Sequence, residues 1–146
     1  MPLNNIHATG VVLGDRGVMI VGPSGSGKSL LAVSLIQRFR SAGHFACMIA
    51  DDQLLLSVAG SRLVARCPRP IAGLVEIRGQ GPVSIPYQDS AVIDLLVRLV
   101  PAEEVERLPE PSSESLLGTE LPRVVTPFRN VSSSIPIVLG RLNLPL

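Results

Sequence analysis

Tryptophan is absent from this sequence, tyrosine occurs once and phenylalanine three times. So few rings argue against single-stranded nucleic-acid binding, where bases stack on exposed aromatics. Charge excess is missing too: 13 Lys and Arg against 12 Asp and Glu leave a net +1, too little for a cationic footprint on a duplex. No nucleic-acid partner is expected. Long apolar runs are also lacking despite a mean hydropathy of +0.39. A spanning helix needs roughly 20 consecutive apolar residues, and Asp15-Arg16, Asp51-Asp52 and Arg98 cut every candidate, so no membrane partner is expected. Met1 to His7 has neither the basic nor the apolar region of a secretory leader. Cys47 and Cys67 have no metal or redox spacing. A lone disulfide stays open, but two buried thiols in a cytoplasmic protein is the favoured reading.

What is present is apolar content of 46% with 17% charged residues in 146 positions, enough for one packed domain over 1–146. Residues 8–13 and 18–21 are Val- and Ile-rich around Gly14-Asp15-Arg16-Gly17, a hairpin pattern. A glycine-rich loop follows, then a helical period over 29–40, with Leu31, Leu35, Ile36 and Phe39 on one face and Gly43 as its stop. Ala46 to Ala50 is predicted as a buried central strand, and 53–58 and 61–66 as a second hairpin around Ala59-Gly60. A strand is predicted at 71–78, ended by Gly79 to Pro82. A helix is predicted over Asp89 to Leu99 with Asp89 as cap, an exposed, partly mobile loop over Pro101 to Pro122, and weaker strands at 123–126 and 135–139.

The chemistry is concentrated in Gly22-Pro23-Ser24-Gly25-Ser26-Gly27-Lys28-Ser29, the P-loop pattern of two spaced glycines followed by Lys and Ser. Glycines let the backbone curl so that N–H groups face phosphate oxygens, backed by a helix N-terminus. Lys28 is expected to reach the β- and γ-phosphates of a nucleoside triphosphate, projecting into solvent without one, and Ser29 to hold Mg²⁺ through its hydroxyl. A strand before and a helix after the loop make a chance match a minor alternative. Asp51-Asp52 ends the apolar run like the acidic end of a second nucleotide-binding strand, where one carboxylate can serve the metal and the other the acceptor. A turn pair in a surface loop is the alternative. Glu76 and Arg78 alternate onto one strand face and on their own read as a surface ion pair of little energy. Arg123 and Arg129 are candidates for phosphate contacts on a closing loop. His7 is solitary, and His44 has no assigned role.

Taken together, His7 ahead of the first strand, the loop Gly22 to Ser29, Ala50-Asp51-Asp52 and Val75-Glu76-Ile77-Arg78-Gly79-Gln80-Gly81 resemble the bacterial HPr kinase/phosphorylase family. The resemblance runs from about His7 to Arg129. It implies an α/β P-loop domain with a mixed sheet, similar to the phosphoenolpyruvate carboxykinase core. It also implies ATP-dependent phosphorylation of a serine on the phosphocarrier HPr, and phosphorolysis of that phosphoserine by inorganic phosphate to give pyrophosphate. Carried over by position, Asp51 is the base that takes the serine proton, with His7 holding its charge. Asp52 and Glu76 serve Mg²⁺ with Ser29, and Arg78 and Arg129 serve the phosphates. Most members carry an additional N-terminal domain, and longer ones a helical end that docks HPr; no counterpart of the first, and no clear counterpart of the second after Arg141, is expected. Leu30 stands where many have an acidic residue, and Phe39 to Phe45 is longer than usual. The chain is thus expected to be a short, catalytic-domain form and a homo-oligomer. A small-molecule kinase and a nucleotide-binding switch without turnover are the alternatives.

Overall fold

The apolar runs pair into a mixed sheet because most of them are buried on both faces. The protein is described by a computed structural model covering residues 3–145. In chain order its elements are β1 (Asn4–Ile6), β2 (Thr9–Leu13), β3 (Arg16–Val21), α1 (Lys28–Ser41), β4 (Ala46–Ala50), β5 (Leu54–Ala59) and β6 (Arg62–Arg66). These are followed by β7 (Leu74–Ile77), β8 (Gly81–Ser84), β9 (Ser90–Val100), β10 (Ser112–Leu116), β11 (Thr119–Pro127) and α2 (Val131–Arg141). Nine strands form one sheet: seven follow the path β1-β5-β6-β9-β3-β2-β4, β11 branches from β9 and β10 pairs with β11, while β7 and β8 make a separate ribbon. β9 pairs with β6 through residues 90–92, with β11 through 96–100 and with β3 through 93–98. One long strand thus joins two sets of neighbours, and the sheet curls about it.

Each face of the sheet carries its own core. On one, Val11, Val18, Ile20, Leu95, Val97 and Leu99 pack under both helices. On the other, Val12, Met19, Ile49, Leu56, Leu63 and Leu96 fill the inside of the curl. α1 buries Leu31, Leu35, Ile36 and Phe39, as its period predicts, each contributing ~1.5–3 kcal/mol. It ends in paired bonds, His44 N–H to the Phe39 carbonyl and Gly43 N–H to the Arg40 carbonyl. Gly43 takes φ 84 there, the left-handed residue this helix stop requires.

Both predicted hairpins form, β2–β3 and β5–β6. Five other expectations are corrected. Residues 90–100 are strand, not the helix predicted over Asp89 to Leu99. With both faces buried the run is continuously apolar, and periodicity cannot separate such a strand from a helix. Residues 135–139 lie in α2 rather than in a strand. Asn130 caps that helix, its side chain accepting the Ser133 N–H at 3.1 Å, and burial of Val138 and Leu139 outweighs the poor propensity of a helix containing Pro136. The segment read as loop over 101–122 contains β10 and the start of β11, joined at Leu117-Gly118. Ala46 to Ala50 is buried but ends the sheet path instead of lying at its centre. The segment around Tyr87 covers that edge, with Met48 N–H donating to the Pro86 carbonyl and Gln88 N–H to that of Met48. Finally, the strand predicted at 71–78 is β7 alone, and Gly79 to Pro82 carries a turn into β8.

Candidate active site at the carboxyl end of the sheet

Strand direction assembles the site. β3 and β11 run parallel to β9, and β4 shares the direction of β3 because both are antiparallel to β2. Their carboxyl ends therefore open at one end of the sheet, where α/β sheets place ligands. Gly22 to Gly27 follows β3, Asp51-Asp52 follows β4, and Phe128-Arg129 follows β11. β2 runs the opposite way, so Thr9, and His7 just before it, arrive at the same end.

The glycine-rich loop leads into an uncapped helix start. Gly27 caps α1 without a side-chain bond, and no acidic residue lies in the first turn. The first N–H groups of α1 have no partner within the helix, and the positive end of its dipole is unneutralised. Only glycine suits position 27, where φ is 99 and a Cβ would lie 3.2 Å from the N and Cα of Arg129. Arg129 sits over the loop in a left-handed conformation, φ 45. Its N–H donates to the Ser26 carbonyl at 3.0 Å and its guanidinium to the Gly25 carbonyl. Lys28 is buried, contrary to the expectation that it projects into solvent. Its Nζ donates to the carbonyls of Gly22 at 2.9 Å and Pro23 at 3.3 Å, which satisfies a charge that is costly to bury unpaired. Ser26 Oγ is buried with no hydrogen-bond partner among the described residues.

The two aspartates have different surroundings. Asp51 is buried, and its Oδ1 accepts from Ser29 Oγ at 2.7 Å and Thr9 Oγ1 at 3.0 Å. Its Oδ2 accepts the Glu76 N–H at 3.1 Å. Asp52 is exposed, with φ 65, and its carboxylate has no hydrogen bond among the described residues. His7 is exposed and lines a cleft of about 470 Å³ with Gly22, Pro23, Arg98 and Glu114. Glu76 reaches the site by its backbone, its side chain exposed. Arg78 lies in the β7–β8 turn, one residue past the strand, so strand alternation does not align it with Glu76, and no ion pair joins the two among the described residues. Arg123 is engaged elsewhere, 3.3 Å from the Glu114 carboxylate that also takes Arg98 at 2.6 Å. Thr9 escaped sequence reasoning, since a single threonine in an apolar strand carries no motif.

The fold is a mixed α/β domain, and at the carboxyl end of its sheet a glycine loop leads into an uncapped helix start whose second residue, Ser29, is bonded to a buried carboxylate. The match to the HPr Serine kinase C-terminal domain covers residues 2–140, and the chain belongs to that family. It is 28% identical over 156 aligned positions to HPr kinase/phosphorylase of Malacoplasma penetrans, covering 97% of this chain and 50% of that protein. It is 32% identical over 152 positions to the namesake from Geobacter sulfurreducens, covering 94% and 46%. The chain spans half the length, or less, of these relatives. The solved HPr(Ser) kinase/phosphatase from Coxiella burnetii superposes with a TM-score of 0.79 at 25% identity, covering 96% of this chain and 94% of that one. Among the described residues no helix is long and apolar enough to cross a membrane.

Proposed function

We propose that this domain phosphorylates a serine of the phosphocarrier HPr with ATP, and removes that phosphate by phosphorolysis with inorganic phosphate, giving pyrophosphate. The observation that carries the reading is the Asp51 carboxylate on the Ser29 hydroxyl beside the uncapped start of α1. In this reading Gly22 to Ser29 is a phosphate-binding loop on a fold akin to the phosphoenolpyruvate carboxykinase core. Its amides and the first turn of α1 hold the β- and γ-phosphates, and Lys28 moves onto them from the carbonyls of Gly22 and Pro23. Ser29, Asp51 and Glu76 would hold Mg²⁺. The donor set fits, because magnesium takes one or two carboxylates plus substrate phosphates rather than an all-protein cage. No cluster of three or more His, Cys, Asp or Glu forms a cage among the described residues. Bound there, the ion would neutralise charge on the phosphates.

The geometry favours exchanging the two aspartate roles implied by the family resemblance. Asp51 is buried and turned inward on Ser29 and Thr9, which leaves it poorly placed to meet an acceptor arriving from solvent. Asp52 presents a free, exposed carboxylate at the same strand end, and we assign it the proton of the acceptor serine. In the reverse direction a phosphate oxygen attacks the phosphoserine phosphorus, the P–O(serine) bond breaks, and protonated Asp52 returns the proton to the serine oxygen. His7, beside Gly22 in the cleft, supports the charge, while Arg129 and Arg78 orient phosphate. Incubation of phosphoserine-HPr with the protein, Mg²⁺ and phosphate is expected to release pyrophosphate. Release of free phosphate in buffer lacking added phosphate, with no pyrophosphate when phosphate is supplied, would refute phosphorolysis, and absence of reaction in both directions would favour a nucleotide switch.

A further inference from the structure

We propose that the Thr9 hydroxyl is the positioning group that separates the two aspartates, holding Asp51 inward on Ser29 and fixing the turn that leaves Asp52 outward. The inference rests on the kinase reading of this strand end. The register of β2 on β4 pairs Gly10 with Ala50 and then slips, with Val11 opposite Met48. Ile49 is the additional residue of a bulge, and bulges re-aim the side chains beside them. One position beyond the Gly10–Ala50 pair, Thr9 meets Asp51. Thr9 is fully buried. Its hydroxyl donates to Asp51 Oδ1 at 3.0 Å and accepts the Asp52 N–H at 3.1 Å.

The two bonds fit one proton inventory. A threonine hydroxyl has a single hydrogen and two lone pairs. Donation to ionised Asp51 uses the hydrogen, so only lone pairs face the Asp52 amide. That bond holds Asp52 at φ 65, a left-handed conformation uncommon outside glycine though more accessible to Asp than to most residues. With the amide held, the chain turns at Asp52 and its carboxylate faces solvent while that of Asp51 faces the loop. One hydroxyl thereby ties the metal-side carboxylate to the acceptor-side one.

Valine matches threonine in shape but can make neither bond, whereas serine can make both. Thr9→Val is expected to speed hydrogen exchange of the Asp52 amide in ligand-free protein about tenfold, the equivalent of one lost hydrogen bond. It is also expected to lower kcat for HPr phosphorylation by a similar factor while KM for ATP stays within about twofold. Thr9→Ser should restore both. Unchanged exchange in Thr9→Val, unchanged kcat, or a serine variant as impaired as the valine one each overturns the proposal. Wild-type protein without turnover would refute the kinase reading instead, and the exchange rates of the two variants would then decide the Thr9 anchor alone.

Discussion

Replacing Asp51 and Asp52 in turn by asparagine separates an aspartate built into the fold from one that is not. At position 51 the change removes an ionised acceptor of three hydrogen bonds, at 2.7, 3.0 and 3.1 Å, from a buried site. The amide can keep one oxygen on Ser29 and Thr9, but its NH₂ then meets the Glu76 N–H, donor against donor. Hydrogen bonds to charged groups contribute about 1.5–3 kcal/mol, so a loss of roughly 2 kcal/mol is expected. For a chain of this size that corresponds to roughly 8 °C in Tm. At position 52 the side chain is exposed and unbonded, and the change should stay within about 0.5 kcal/mol, or ~2 °C. Thermal unfolding of both variants without nucleotide, followed by single-turnover transfer, tests this. Asp52→Asn should fold like wild type yet lose transfer, with near-normal ATP affinity. Equal Tm values, or an active Asp52→Asn, would refute the division of labour.

Lys28→Ala is expected to abolish transfer and also to lower stability by about 1–2 kcal/mol, because the Gly22 and Pro23 carbonyls lose their donor; calorimetry beside the activity assay checks both. Gly27→Ala should cost at least ~1–3 kcal/mol from the strained φ alone and weaken nucleotide binding through displacement of Arg129, measurable by titration calorimetry. The Arg98 hydrogen bond, then its charge and that of Arg123, hold the Glu114 carboxyl below its ordinary 4.5 against an opposing effect of burial. A folded-state pKa below the unfolded one gives stability that is present above about 4.5 and lost as pH falls through the folded value. Denaturant midpoints of wild type and Glu114→Gln should therefore differ by a constant amount near neutrality and converge on acidification.

The loop Gly22 to Ser29 and the helix after it were legible because glycine spacing and a 3.6-residue apolar period are local signals. The strand β9 was not, because Ile93, Leu95, Leu96 and Val97 are buried on alternate faces of a sheet covered on both sides, and the partners that decide between strand and helix lie far away in sequence. α2 was obscured by Pro136 among Ile and Val, and only its packing on the sheet resolves it. The acidic pair was legible by position, but which of the two carboxylates faces Ser29 was not. At a strand end the alternation of side chains stops, and the slip of β2 on β4 decides which carboxylate faces Ser29. The burial of Lys28 was not legible because its carbonyl partners come from the loop's own curl. Thr9 had no local signal, its partners being 42 and 43 residues away.

Phosphoserine formation on HPr tests the central claim most directly. Purified protein, ATP, Mg²⁺ and HPr should give HPr carrying one phosphate, located on a serine by mass spectrometry, and Lys28→Ala should give none. HPr that stays unmodified while ATP binds normally would contradict the account.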